Sequence, residues 1–295
     1  MATLETTDVG TATSRKPRDD EMDVYGLTHP GSVRKENQDH FLICSLRKEV
    51  VVHHTSLTEV GQLPTGAQRL ALLMMVADGV GGGAKGEEAS RLAVEAVTQY
   101  VTRSMRCYYA SETADDQEFL RALEEAASQS HAEVLRRAGE NPEYRGMATT
   151  LTMWLSSWPR AFLLQVGDSR CYLLRQGELT QITRDQTMAQ ELIDLGVLTR
   201  ADASRTNYAT TLSSSIGGRQ TAPVVTRIDL DWGNVALLCS DGLTRHVSDE
   251  VIRNRLRGMT SAQQVCEDLL QDALDGGGTD NITIVVRRAI HRPER

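Results

Sequence analysis

Five aspartates in this 295-residue sequence sit at the edges of short apolar segments. Residues 70–77 run into Asp78-Gly79-Val80-Gly81-Gly82-Gly83, residues 161–166 into Gly167-Asp168-Ser169, and residues 235–239 into Ser240-Asp241-Gly242. Asp280 follows the glycine run 276–278 and opens a last apolar segment; Asp39 ends the string Arg34-Lys35-Glu36-Asn37-Gln38-Asp39 just before another. Carboxylates brought together repel one another and take up protons unless a cation sits among them. Oxygen-only donors suit hard divalent ions such as Mg²⁺ or Mn²⁺, which keep several of their waters. A glycine beside an aspartate lets a backbone carbonyl approach such an ion. One Asp-Gly pair alone is an ordinary turn signal. Its recurrence beside Arg-x-x-Asn-x-Asp and Thr-Asp-Asn strings is much harder to attribute to turns.

The elements that must present these aspartates are legible in outline. Strand-like stretches fall at 22–28, 41–46, 49–54 and 70–77, bounded by Pro- and Gly-containing turns. The period then changes. Ala89, Leu92, Ala93, Ala96, Val97, Tyr100 and Val101 share one face of a helix over 87–105. A second helix over 116–138 should turn Phe119, Leu120, Leu123, Ala127, Val134 and Leu135 inward. Strands return at 149–155, 161–166, 171–175, 224–230 and 235–239. A short helix follows Ser248, a longer one spans 261–274 and ends at Gly276-Gly277-Gly278, and a last strand covers 281–286. This order suggests antiparallel sheets with helices stacked on them rather than regular βαβ alternation. Residues 184–218 are the hardest to place, with a helical piece near 188–195 and a polar run, 199–211, read as part of a flap over 185–211.

Composition narrows the class. The chain is 40% hydrophobic and 24% charged with a net charge of −8, which argues for a globular protein and against nucleic-acid binding through a broad basic face. No apolar run reaches the roughly 20 residues of a membrane span, and the first residues lack a secretory layout. The five cysteines are scattered and odd in number, so neither a disulfide framework nor a zinc site is indicated, and a reducing cytoplasm is expected. Residues 1–20 read as a flexible arm and 21–295 as a single domain.

Taken in order, Arg34-Lys35-Glu36-Asn37-Gln38-Asp39, Val76-Ala77-Asp78-Gly79-Val80-Gly81-Gly82, Met147-Ala148-Thr149-Thr150, Val166-Gly167-Asp168-Ser169-Arg170, Ser240-Asp241-Gly242-Leu243 and Thr279-Asp280-Asn281-Ile282-Thr283 form a set. With this set the sequence resembles the metal-dependent, type 2C serine/threonine protein phosphatases, in their bacterial style. The resemblance implies an α+β fold, a four-layer α-β-β-α sandwich whose two central antiparallel sheets carry the metal site at one end. It implies that Asp78 bridges two ions, that the Gly79 carbonyl binds one of them, and that Asp241 and Asp280 hold the second. Asp39 is expected to act mostly through metal-bound water, and Asp168 with Asp241 to hold a weaker third ion. Arg34, whose planar fork suits phosphate oxygens, is expected to grip the substrate phosphate. The implied reaction is hydrolysis of phosphoserine and phosphothreonine in proteins, with a water or hydroxide bridging two Mn²⁺ or Mg²⁺ ions attacking phosphorus. Expected partners are phosphorylated proteins, the products of a serine/threonine kinase, with no nucleic acid or membrane and a monomeric state.

Two positions depart from the family pattern: Val80 stands where many members have histidine, and Gln38 where many have glutamate. The general acid is therefore open, and metal affinity is the property in doubt. Other readings weigh less. Gly79-Val80-Gly81-Gly82-Gly83-Ala84 fits a dinucleotide-binding loop, but Asp78 directly before it would repel a pyrophosphate. A P-loop around Lys85 fails at Ala84 and Gly86. Cys239 late in an apolar strand reads as core, and His53, His54 and His246 as surface or packing residues. The alternatives carried are an inactive, binding pseudophosphatase and a phosphatase of small phosphate esters.

Overall fold

The computed structural model describes residues 15–49, 68–104, 116–203 and 206–293. Most of the expected arm, all but Glu49 of the strand expected over 49–54 with His53 and His54, the rest of segment 50–67, and Met105 and Cys107 lie outside the described residues. Twelve strands are described among these residues: β1 (Met22–His29), β2 (His40–Lys48), β3 (Gln68–Ala77), β4 (Gly79–Val80), β5 (Ala148–Thr149), β6 (Leu151–Ser157), β7 (Arg160–Val166), β8 (Arg170–Arg175), β9 (Glu178–Gln181), β10 (Val224–Asp229), β11 (Val235–Cys239) and β12 (Ile282–Ala289). The α-helices are α1 (Ala84–Ser104), α2 (Asp116–Glu140), α3 (Met188–Asp194), α4 (Arg200–Ala203), α5 (Asp241–Thr244), α6 (Asp249–Arg257) and α7 (Ala262–Asp275).

Two five-stranded sheets form, one in the order β1-β12-β11-β8-β9 and the other β10-β7-β6-β3-β2. Their pairings are antiparallel throughout. Strand β3 shows why the sequence settles this way. Its apolar run is buried on both faces, as continuous rather than alternating hydrophobicity demands. Leu73 and Met75 pack with Ala93 and Val97 of α1 and Leu123 of α2, whereas Leu72, Met74 and Val76 pack with Leu238 of β11 and Val285 of β12 between the sheets. On the other side, Ile284 and Val286 pack with Ile252 of α6 and Leu269 of α7. The result is the four-layer α-β-β-α sandwich expected from the sequence. No helix among the described residues is long and apolar enough to cross a membrane.

Serine and threonine caps start several helices. Thr187 accepts from Gln190 N at 3.2 Å and Ser261 from Gln264 N at 3.0 Å, each satisfying an amide that has no partner within its helix. Two expectations need correcting. Leu135 is 44% exposed, because Val134 takes the inward position and the next residue is rotated about 100° away. The strand expected over 149–155 is broken at Thr150 into β5 and β6. The polar run 199–211 holds α4 and a 3₁₀ turn at Asn207–Thr210.

Candidate metal centre

The break at Thr150 is what presents Asp78. Thr150 N donates to Asp78 O at 2.9 Å, and Asp78 N donates to the Thr150 hydroxyl at 2.9 Å, so the aspartate is pinned where β3 stops. Gly79 starts the two-residue ribbon β4–β5. A side chain there is excluded, since a Cβ would stand 2.2 Å from Gly86 O and 2.7 Å from Gln38 O. The turns after the other strands follow the same logic. Asp168 lies between β7 and β8 in a turn whose Gly167 has φ +101°, and neighbouring Ser169 hydrogen-bonds Thr150 at 2.7 Å. Asp241 opens α5 one residue after β11, and Asp280 immediately precedes Asn281 and β12. Asn281 is the local fastener: its Nδ2 donates to Pro30 O at 3.0 Å and Glu36 O at 2.8 Å, and its Oδ1 accepts from Gln38 N at 2.9 Å.

These turns converge. Arg34, Asp78, Gly79, Asp168, Asp241 and Asp280 line one pocket of about 300 Å³ at one end of the sandwich. Asp39 is not among the lining residues; it is buried behind them. Its Oδ2 accepts from Ser240 Oγ and Thr283 Oγ1, each at 2.7 Å, and its Oδ1 is buried with no hydrogen-bond partner. Burial pushes the Asp39 carboxyl up to about 7, helped by Asp241 and Asp280 and opposed by the two hydroxyls. Asp168 is pushed up to about 8, again chiefly by burial and then by Asp241. Asp78 rises well above the carboxylate range through burial and the charges of Asp39, Asp241, Asp168 and Asp280. Burial also raises Asp241, against the pull of Arg245.

The arginines supply the present counter-charge. Arg34 is exposed and bonds Asp280 through Nε at 2.9 Å and Nη2 at 3.0 Å. Arg245 donates to Asp280 at 2.8 Å and also pairs with Asp241. Sequence reasoning missed Arg245, although its spacing of four from Asp241 along a helical turn places both on one face. It also missed Ser240 and Thr283, the hydroxyls that brace Asp39. Among the described residues no three acidic, histidine or cysteine side chains close into a ready-made ion cage; Asp241 and Asp280 face Arg245 instead. The donor chemistry nonetheless fits a hard divalent ion: all-oxygen carboxylates, mutually repelling, with the orphaned Asp39 Oδ1 behind them. Val80 is 42% exposed beside the pocket, which is also lined by Thr210 of the segment read as a flap and by Leu212 just after it. Cys239 is fully buried with its thiol pushed up to about 12, so it is no nucleophile. His246 bonds the Thr279 hydroxyl at 2.9 Å and stays out of the carboxylate group.

Comparison with known proteins supports the same class. A family model described as Protein phosphatase 2C matches residues 65–276. The serine/threonine protein phosphatase PstP of Mycobacterium tuberculosis is 37% identical over 220 residues, which are 73% of this chain and 40% of that protein. This chain therefore spans well under half the length of that curated relative. The crystal structure of the M. tuberculosis serine/threonine phosphatase PstP/Ppp superposes with a TM-score of 0.73 at 32% identity, covering 92% of this chain and 99% of that one. A structure of the PstP catalytic domain in complex with two manganese ions gives 0.70 at 31% identity, covering 92% and 99%. The chain belongs to the protein phosphatase 2C family.

Proposed function

We propose that this protein hydrolyses phosphoserine and phosphothreonine monoesters of other proteins, using divalent ions held at the carboxylate pocket. The observation that carries the reading is the convergence of Asp78, Asp168, Asp241 and Asp280 with Arg34 on one 300 Å³ pocket in a chain of this family. Asp78, the Gly79 carbonyl, Asp241 and Asp280 would hold two ions, Mn²⁺ or Mg²⁺, with Asp168 available for a weaker third and Asp39 acting from behind. When bound, such ions activate water near neutral pH and neutralise phosphoryl oxygens. Arg34 binds and orients the phosphate with a permanent positive charge. Asp39 is oriented by Ser240 and Thr283, which leaves its second oxygen buried with no hydrogen-bond partner. No side-chain nucleophile is required. Residues 21–295 act as one catalytic domain, and the substrates are phosphoproteins made by a serine/threonine kinase.

The test is phosphate release from a phosphothreonine peptide after EDTA treatment, with Mn²⁺ and then Mg²⁺ titrated back. Turnover should vanish with EDTA and return with metal. Folded protein that binds Mn²⁺ without turnover would make it a binding pseudophosphatase. Preference for a small aryl phosphate over the peptide would move the reading to small esters.

A further inference from the structure

We infer that the end of the sandwich opposite the carboxylate pocket holds a small monovalent anion of halide size, between Lys16, Arg69 and Arg287. These three cations line a narrow cavity at the start of β3 and the end of β12, and no acidic side chain among the described residues lines it. The strands place it away from the other site, because Asp78 and Asp280 lie at the opposite ends of β3 and β12.

Arg287 is the reason an anion is needed. It is 1% exposed, and its in-register neighbours on either side are the apolar Val24 and Ala236. Its Nε and Nη1 are buried without a hydrogen-bond partner. Burial, and then the charge of Arg69, lower its pKa to about 10, still far enough above neutrality for the guanidinium to keep its proton. A buried guanidinium with no charge partner among the described residues and two of its nitrogens unsatisfied is strongly disfavoured. The neighbours do not supply the missing charge. Arg69 donates to Pro17 O at 2.6 Å and pairs at 2.9 Å with Asp19, which is 49% exposed and shared with Arg47. Among the described residues Lys16 donates only to the backbone carbonyls of Arg69 and Leu70, and burial followed by the charge of Arg69 lowers its pKa. Among the described residues, three cations thus face one outlying carboxylate.

Size selects the occupant. The cavity offers about 20 Å³ to the centre of a water-sized sphere, enough for one water or a halide but not for sulfate or phosphate. A water would satisfy hydrogen bonds but bring no charge. A halide supplies both, and would tie together the segment carrying Lys16, β3 of one sheet and β12 of the other.

The test uses the full chain with saturating Mn²⁺. Melting midpoints are measured at fixed ionic strength in chloride, bromide, gluconate and sulfate, and bromide-grown crystals are examined for anomalous scattering. Halides should raise the midpoint by about 2–4 °C over gluconate, saturably. That ordering would run against the general tendency of sulfate to strengthen burial. An anomalous bromide peak should lie within hydrogen-bond reach of Arg287 Nε and Nη1. Arg287→Met should remove the halide preference. Absence of the peak, or a halide effect that Arg287→Met retains, overturns the inference and leaves water as the occupant.

Discussion

Asp78 is the residue on which the proposed chemistry turns. It is pinned through its own backbone to Thr150, so replacing its side chain leaves that anchoring in place. Asp78→Asn should lower peptide turnover on the order of a thousandfold without changing circular dichroism. In EDTA its melting midpoint should hold or rise, since burial and four neighbouring carboxylates already disfavour the charge that is removed. Wild-type turnover would end its assignment. Arg245 presents the reverse case, a cation that holds two of the carboxylates assigned to metal. Because its side chain is 35% exposed, each ion pair is of modest strength, so Arg245→Gln should tighten calorimetric Mn²⁺ binding by about two- to fivefold. Equal or weaker binding would show that the arginine does not compete. Asp78 was legible from its place at the end of an apolar run, whereas Arg245 was not. Nothing in a lone arginine of a polar turn says that its fork will close on an aspartate 35 residues away.

At the level of elements, glycines decide how closely the site's turns approach. A Cβ on Gly242 would stand 2.0 Å from Asn281 O, so Gly242→Ala must push apart the turns that carry Asp241 and Asp280. It should cost about 1–3 kcal/mol in urea melts and weaken Mn²⁺ binding. Gly139, inside α2 with nothing near its Cβ direction, provides the contrast: Gly139→Ala should stabilise by about 0.5–1 kcal/mol. Equal responses of the two variants would remove the close-approach argument. The sequence shows a glycine at both places but not which backbone it meets. Strands β3 and β11 were legible because unbroken apolar runs of their length have one buried solution in a layered sandwich. The break at Thr150 was not, since its cause, reciprocal bonding to Asp78, joins residues 72 apart.

For the molecule as a whole, the buried carboxylates predict a pH signature in the metal-free state. Asp39, Asp78 and Asp168 keep their protons to higher pH when folded than when unfolded. The folded state therefore binds more protons through this range, and stability falls as pH rises through about 7–8. Burial lowers the pKa of His40 and His131, so their titration acts below this window. Urea midpoints in EDTA should drop between pH 7 and pH 9, and saturating Mn²⁺ should flatten the decline. A level or rising profile in EDTA would show that the carboxylates do not share a buried site. The overall architecture was legible because six short strings in order outweigh any single one, while the pairing of β1 with β12 could not be read from local pattern. That pairing, with Asp39 braced by Thr283, carries a consequence in time. A chain leaving the ribosome has nearly all of its carboxylates long before it has residues 282–289, and until then β1 lacks its neighbour and Asp39 lacks a brace. Under the proposed function, the emerging chain should therefore release no phosphate from phosphoproteins until β12 has emerged.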